Sequence, residues 1–260
     1  MIHAVLAVPL GVAIGLSLGA LGGGGSILTV PALVYVLGES ATTATAGSLI
    51  IVGSASLVGA ASHARQHRVR WRAGAAFGVA GIPASYAGSL LNATVNPHVL
   101  LIAFAGLMVV AGVAMLWRQR SSTPVAAVPA QPAPTVSTVT RVLVAGAAVG
   151  FLTGFFGVGG GFVIVPGLVF ALGYEMSIAV ATSLLVIAIN TIVALVARIG
   201  HDTFDLMVLI PFAVGAVAGA VAGRRGAEHV SQRTLTRIFA GLLFVVAAYV
   251  AVRAGTALHG

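Results

Sequence analysis

Two glycine-rich runs hold the residue types best able to do chemistry in this chain. They read LGGGGSILTVP over residues 21–31 and FGVGGGFVIVP over residues 156–166. Glycine permits tight turns and lets backbone approach a ligand closely. If a helix restarts after each run, near Ser26 and Phe162, its first amide N–H groups have no internal acceptor and point back into the loop. Those amides, with the positive end of the helix dipole, bind an anion without any charged side chain. The candidate binding groups are therefore Gly22, Gly23, Gly24, Gly25 and Ser26 in the first loop. In the second they are Gly157, Gly159, Gly160, Gly161 and Phe162. Ser48, Thr182 and Ser183 add hydroxyls, which either donate to an oxyanion or bond back to the preceding helical turn. Asn190 joins the set as a mid-span amide that is costly without a partner, with interhelical packing as its alternative role.

Other chemistries are poorly provided for. The absence of cysteine excludes disulfides and thiolate metal sites. The His and carboxylate residues show no metal-ligand spacing, and no Ser–His pair is placed for catalysis. The glycine spacing resembles a dinucleotide fingerprint only weakly, since no βαβ unit surrounds it. We therefore assign no catalytic residue, no metal ligand and no cofactor, and read the chain as no enzyme. His63, His201, Glu39 and Glu175 lie near segment ends, where an interfacial role and proton or ion coupling are the alternatives. No ATP-binding motif is present, so any transport must run on gradients.

The elements that position these loops follow from composition. Of 260 residues, 59% are hydrophobic and 7% charged, and the mean hydropathy is +1.10. A soluble domain has about a quarter charged residues, and disorder needs low hydrophobicity. The chain reads as an all-α, polytopic transmembrane protein. Its net charge of +8 comes entirely from arginine, with no lysine. These arginines sit between apolar segments, so they read as topology signals and not as a nucleic-acid surface. Six stretches fit single spans, at roughly 41–62, 73–91, 98–117, 176–197, 206–223 and 234–252. Two more, 2–38 and 139–173, are too long for one crossing and short for two, and each is broken by a glycine run. The first begins at the N-terminus without a secretory signal's basic region and reads as membrane segment. Residues 121–138, SSTPVAAVPAQPAPTVST, form an uncharged Pro/Ala-rich linker. It separates an N-terminal membrane repeat, 1–120, from a C-terminal one, 139–260.

The halves match at a constant offset of 135 residues. Gly15, Gly19, Gly22, Gly24 and Gly25 align with Gly150, Gly154, Gly157, Gly159 and Gly160. Val30-Pro31 aligns with Val165-Pro166, and Ala46, Ser48 and Leu49 with Ala181, Ser183 and Leu184. Two orientations are open. If each broken stretch crosses once, the halves are parallel, and Arg224, Arg225, Arg233 and Arg237 face away from most other arginines. If each is a re-entrant or hairpin segment followed by three transmembrane helices, the halves are inverted. Only Arg198 and Arg253 then oppose the rest. The positive-inside rule favours two inverted repeats, both termini outside and a cytoplasmic linker.

At these residues the sequence resembles the sulfite exporter TauE/SafE family of membrane permeases. The motif is Gly150-x3-Gly154-x2-Gly157-Val158-Gly159-Gly160-Gly161-Phe162 with Pro166, then Ala181-Thr182-Ser183. The first half repeats it with Gly47 in place of Thr182 and Ser26 in place of Gly161, and the similarity spans essentially the whole chain. The resemblance implies export of a small sulfur-containing anion, sulfite or an organosulfonate such as sulfoacetate, across a bacterial inner membrane. Combined with the loops, it gives the expectation of a secondary transporter working by alternating access. An uptake permease for thiosulfate- or sulfate-like anions and a non-transporting membrane scaffold are the alternatives. The expected partners are the anion and the lipid bilayer, with a homodimer as an option and no nucleic acid.

Overall fold

The computed structural model describes residues 2–92, 94–121, 136–156, 161–196 and 206–256, which form ten α-helices with no strand among them. Seven of these helices are long and apolar enough to cross a membrane. The six stretches expected as simple spans each become one helix: α3 (Ala41–Ala64), α4 (Trp71–Asn92), α5 (Pro97–Ser121), α8 (Met176–Val196), α9 (Leu206–Glu228) and α10 (Gln232–Thr256). The broken stretches become helical hairpins. In the first, α1 (Ile2–Leu21) is followed by α2 (Gly24–Pro31), which runs on as a π-helical turn over Ala32–Val36. In the second, α6 (Val136–Phe156) is followed by α7 (Gly161–Leu172).

Local chemistry sets these boundaries. Gly22 ends α1 in the left-handed region, at φ +71°, where a side chain would be strained. Pro31 lacks an N–H and cannot complete the regular ladder, and the wider π turn starts directly after it. Gly38 and Gly173, both left-handed, close the returning arms. At 1.5 Å per residue those arms are roughly 20 Å and 18 Å long, short of the ~30 Å hydrocarbon core. The first arms are longer than the sequence reading required, and α6 alone is long enough to span. The linker is also shorter than expected at its ends, because α5 reaches Ser121 and α6 begins at Val136.

The most extensive helix packing runs across the halves. α1 lies along α9, and its counterpart α6 lies along α4. Both pairs are parallel and meet through small residues. A Cβ on Gly15 or Gly19 would fall on the carbonyl of Ala216 or Ala220, and one on Gly215, Gly219 or Gly223 on that of Val8, Val12 or Leu16. In the second pair Gly146, Gly150 and Gly154 press on the backbone of Phe77, Gly81 and Ser85. Such close approach lets helices associate where lipid offers no hydrophobic driving force.

Equivalent helices meet each other antiparallel. In α3 and α8, Gly53 faces Thr191 while Gly59 faces Leu184. In α5 and α10, Gly112 faces Phe244, while Gln119 donates to the carbonyl of Arg233. Exchanging the two halves leaves this list of neighbours unchanged, since α2 also packs on α7.

These seams make a contrast measurable by thermal unfolding in detergent. Gly15→Leu and Gly150→Leu overpack a backbone contact and should each lose about 1–3 kcal/mol or more. Gly106→Ala, at a helical site with nothing within 4 Å, should be neutral or stabilising. Equal behaviour of the three variants would contradict the packing described.

Candidate functional site

The hairpin tips meet inside the protein. Gly22, Gly23, Gly24, Gly25 and Ser26 are all buried, as are Gly161 and Phe162. Gly23 lies against the Gly161–Phe162 peptide so closely that a Cβ there would overlap the Gly161 carbonyl. In return, a Cβ on Gly161 would meet the Ser26 hydroxyl and sit 3.1 Å from Gly23 Cα. The N-terminal ends of α2 and α7 therefore abut. Each helix starts slightly earlier than expected, at Gly24 and Gly161 instead of near Ser26 and Phe162. Gly23 caps α2 with no side-chain hydrogen bond, so the first-turn amides are left to the backbone surroundings. Gly157, Gly159 and Gly160 lie outside the described residues.

The remaining candidates divide by direction. Ser183 comes to the tip, since its Oγ would lie 2.5 Å from a Cβ on Gly22. Its hydroxyl donates to the Val180 carbonyl at 2.8 Å. Ser26 donates to Gly23 at 2.7 Å and Ser48 to Thr45 at 2.7 Å. All three hydroxyls thus bond back along their own chain, the alternative weighed from sequence, and keep only acceptor lone pairs for a neighbour. Thr182 is turned the other way. It accepts from the Arg70 backbone N–H at 3.2 Å, and its methyl faces Gly74 of α4. Asn190 also faces α4, with its Oδ1 buried, unpartnered and near Gly78.

Several glycines serve packing. Gly24 accommodates Leu242 and Phe239 of α10, and Gly25 accommodates Ile14 and Leu18 of α1. Phe162 contributes its backbone to the tip while its ring packs edge-on against Phe104, at 5.2 Å and 89°. Phe104 in turn contacts Phe156 at 5.4 Å. Tip positions facing away from Gly161 are thus filled by α1 and α10.

Sequence reasoning missed a polar cluster below the first tip. His63, at the end of α3, is buried, with Nε2 3.4 Å from the Gly19 carbonyl of α1. Gln66 donates to Glu228 of α9 at 2.5 Å, and Arg224 forms an ion pair with the same carboxylate. Gln66 and Glu228 come from different halves, and nothing in local spacing pairs them. Thr29, fully buried and bonded to the Gly25 carbonyl at 3.2 Å, was also not singled out. Among the described residues, no group of three His, Asp or Glu side chains could hold a metal.

Membrane-long helices wrapped around two buried, glycine-tipped hairpins define a polytopic α-helical membrane protein of transporter type. Residues 7–250 match the family described as Sulfite exporter TauE/SafE, and the chain belongs to that family. A probable membrane transporter protein of Xylella fastidiosa (strain 9a5c) is 33% identical over 252 residues, covering 94% of each chain. A probable membrane transporter protein of Bacillus subtilis (strain 168) is 28% identical over 238 residues, covering 89% of this chain and 96% of its own. No solved structure matches. The chain is a multi-pass membrane transporter.

Two left-handed glycines separate strain from overlap. Gly38→Ala has φ +72° but nothing within 4 Å, so it should lose only about 1–2 kcal/mol. Gly22→Ala adds a collision with Ser183 and Val165 and should unfold at a clearly lower temperature. Equal melting temperatures would contradict the tip geometry.

Proposed function

We propose that this transporter exports a small sulfur-containing anion, such as sulfite or sulfoacetate, by alternating access between two halves inverted in the membrane. The observation that carries this reading is the meeting of two helix N-termini, α2 and α7, in a buried place with no charged side chain. Oriented amides and helix dipoles favour an anion there. Discontinuous helices contributed by both halves of a repeat are a known way to build a midplane site. The antiparallel pairing of α3 with α8 and of α5 with α10 supports the inverted arrangement. The family description supports sulfite over other anions, while the relatives' names stop at transport.

The tips touch in this conformation, so binding requires Gly23 and Gly161 to part. The seams α1–α9 and α4–α6 are close and extensive, which suits two rigid arms moving apart at their tips. In this reading the amides of Gly24 and Gly25 and of Gly161 and Phe162 line the space that opens, and Ser183 turns its O–H from the Val180 carbonyl to the anion. Thr182 and Asn190 would act on α4, outside that space. The arginine asymmetry supports a cytoplasmic linker with both termini outside. An inside-negative potential then drives export without an obligatory proton, by about 2.3 kcal/mol per charge per 100 mV.

Everted vesicles test this directly. With an interior-positive potential of about 100 mV, labelled sulfite should accumulate up to about fifty-fold per charge carried. Gly23→Val, inserted normally in the membrane, should abolish the flux. No potential-driven accumulation of sulfite, thiosulfate, sulfoacetate or taurine would overturn the transport reading. Accumulation driven only in the opposite sense would make the protein an uptake permease, and a cytoplasmic C-terminal reporter would overturn the topology.

A further inference from the structure

The cluster below the first tip combines paired and unpaired polar groups in an unusual way. The Glu228 carboxylate accepts from Gln66 of the first half and from Arg224 of the second. It is therefore a tie between the ends of α3 and α9. The Arg224 Nε beside it is buried without a hydrogen-bond partner, and a buried donor left unpaired is costly. His63 lies within electrostatic range of Arg224, Arg68 and Glu228. The group also sits close to the first glycine tip. His63 contacts the Gly19 carbonyl, one turn before Gly22.

We propose that Arg224 and Gln66 form an admission site for the transported oxyanion, and that the Glu228 carboxylate occupies it until the anion displaces it. A carboxylate and a sulfur oxyanion present the same chemistry to these donors, namely negative oxygens spaced to accept parallel N–H bonds. The guanidinium suits this because it offers several donors in a fixed fork, and the anion takes the Nη1 now held by Glu228. Gln66 Nε2 transfers from the carboxylate to the anion. Arg68, in the same loop as Gln66, raises the local anion concentration before binding. Displacing Glu228 breaks the one side-chain bond described between α3 and α9 at this end. Anion arrival and the separation of the halves thereby become one event, which keeps the path closed when no substrate is present. This inference rests on the anion-transport reading and on the sidedness proposed with it.

The experiment uses the full chain. Because it contains no cysteine, Arg65→Cys and Arg225→Cys can carry thioether-linked gadolinium labels at two exposed positions, one on each side of the tie. In liposomes, sulfite should lengthen the label–label distance, and Gln66→Ala should lengthen it without sulfite. In everted vesicles, Glu228→Gln should lower the half-saturating sulfite concentration by about tenfold, and Arg224→Gln should raise it by at least as much. If sulfite flux is normal but Glu228→Gln and Gln66→Ala change neither half-saturation nor distance, the admission site is wrong and the transport reading stands. If the unsubstituted protein shows neither flux nor any distance change with sulfite, thiosulfate or sulfoacetate, both fall together. Should Glu228→Gln fail to insert, the Gln66→Ala distance decides alone.

Discussion

A bilayer interior does not solvate irregular backbone, so a chain that turns inside it must be covered by protein. The rest of this fold follows from covering two such turns. Each is placed where the other can cover it, with the Gly23 backbone laid on the Gly161–Phe162 peptide. α8 flanks the meeting point, with Ser183 beside Gly22 and Ile187 beside Gly161. α5 and α10 close it from behind, through Phe104 on Phe162 and through Leu242 and Phe239 on Gly24. The parallel seams α1–α9 and α4–α6 hold the long hairpin arms at the depth this requires. Remove the need to hide the turns and none of these contacts has an evident purpose.

Much of the fold was legible because membrane segments announce themselves by length and hydropathy. The six simple spans became helices at nearly the expected positions, and the 135-residue offset identified the equivalent elements. Partner choice was not legible. Nothing local says that α1 should lie on α9, because a stripe of glycines specifies a close partner without specifying which. Side-chain direction was also hidden. Thr182 and Ser183 are neighbours in sequence, yet one helical step turns the first to Arg70 and Gly74 and brings the second to Gly22. Within the glycine run, residue type alone could not separate Gly23, which touches the opposite tip, from Gly24 and Gly25, which make room for α10 and α1. Gln66 and Glu228 are 162 positions apart, and only the folded chain joins them.

Backbone equivalence does not extend to the side chains. An apolar groove of about 430 Å³ runs beside α1, α9 and α10, lined by Leu16, Ala20, Leu21 and Gly226 among others. At the positions equivalent to Leu16, Ala20 and Leu21 the second half has Phe151, Phe155 and Phe156, with two of these rings stacked at 5.9 Å. The His63 cluster has no matching residues either, since Arg198 stands at the position equivalent to His63. The two faces of the molecule are thus chemically distinct although their helices are laid out alike.

The exchange of arms between halves has a consequence for how the protein is made. α1 ends at residue 21, and the helix it packs along begins at residue 206. At synthesis rates of about 5–20 residues per second, the first arm waits roughly ten to forty seconds for its partner to leave the ribosome. Through that interval its glycine stripe lacks its partner, and for most of it the first tip has no second tip to cover it. A chain interrupted after its first half would hold an open turn in the bilayer. Such a fragment is an obvious substrate for membrane quality control, and it makes the late helices, not the early ones, the step that commits this protein to its final form.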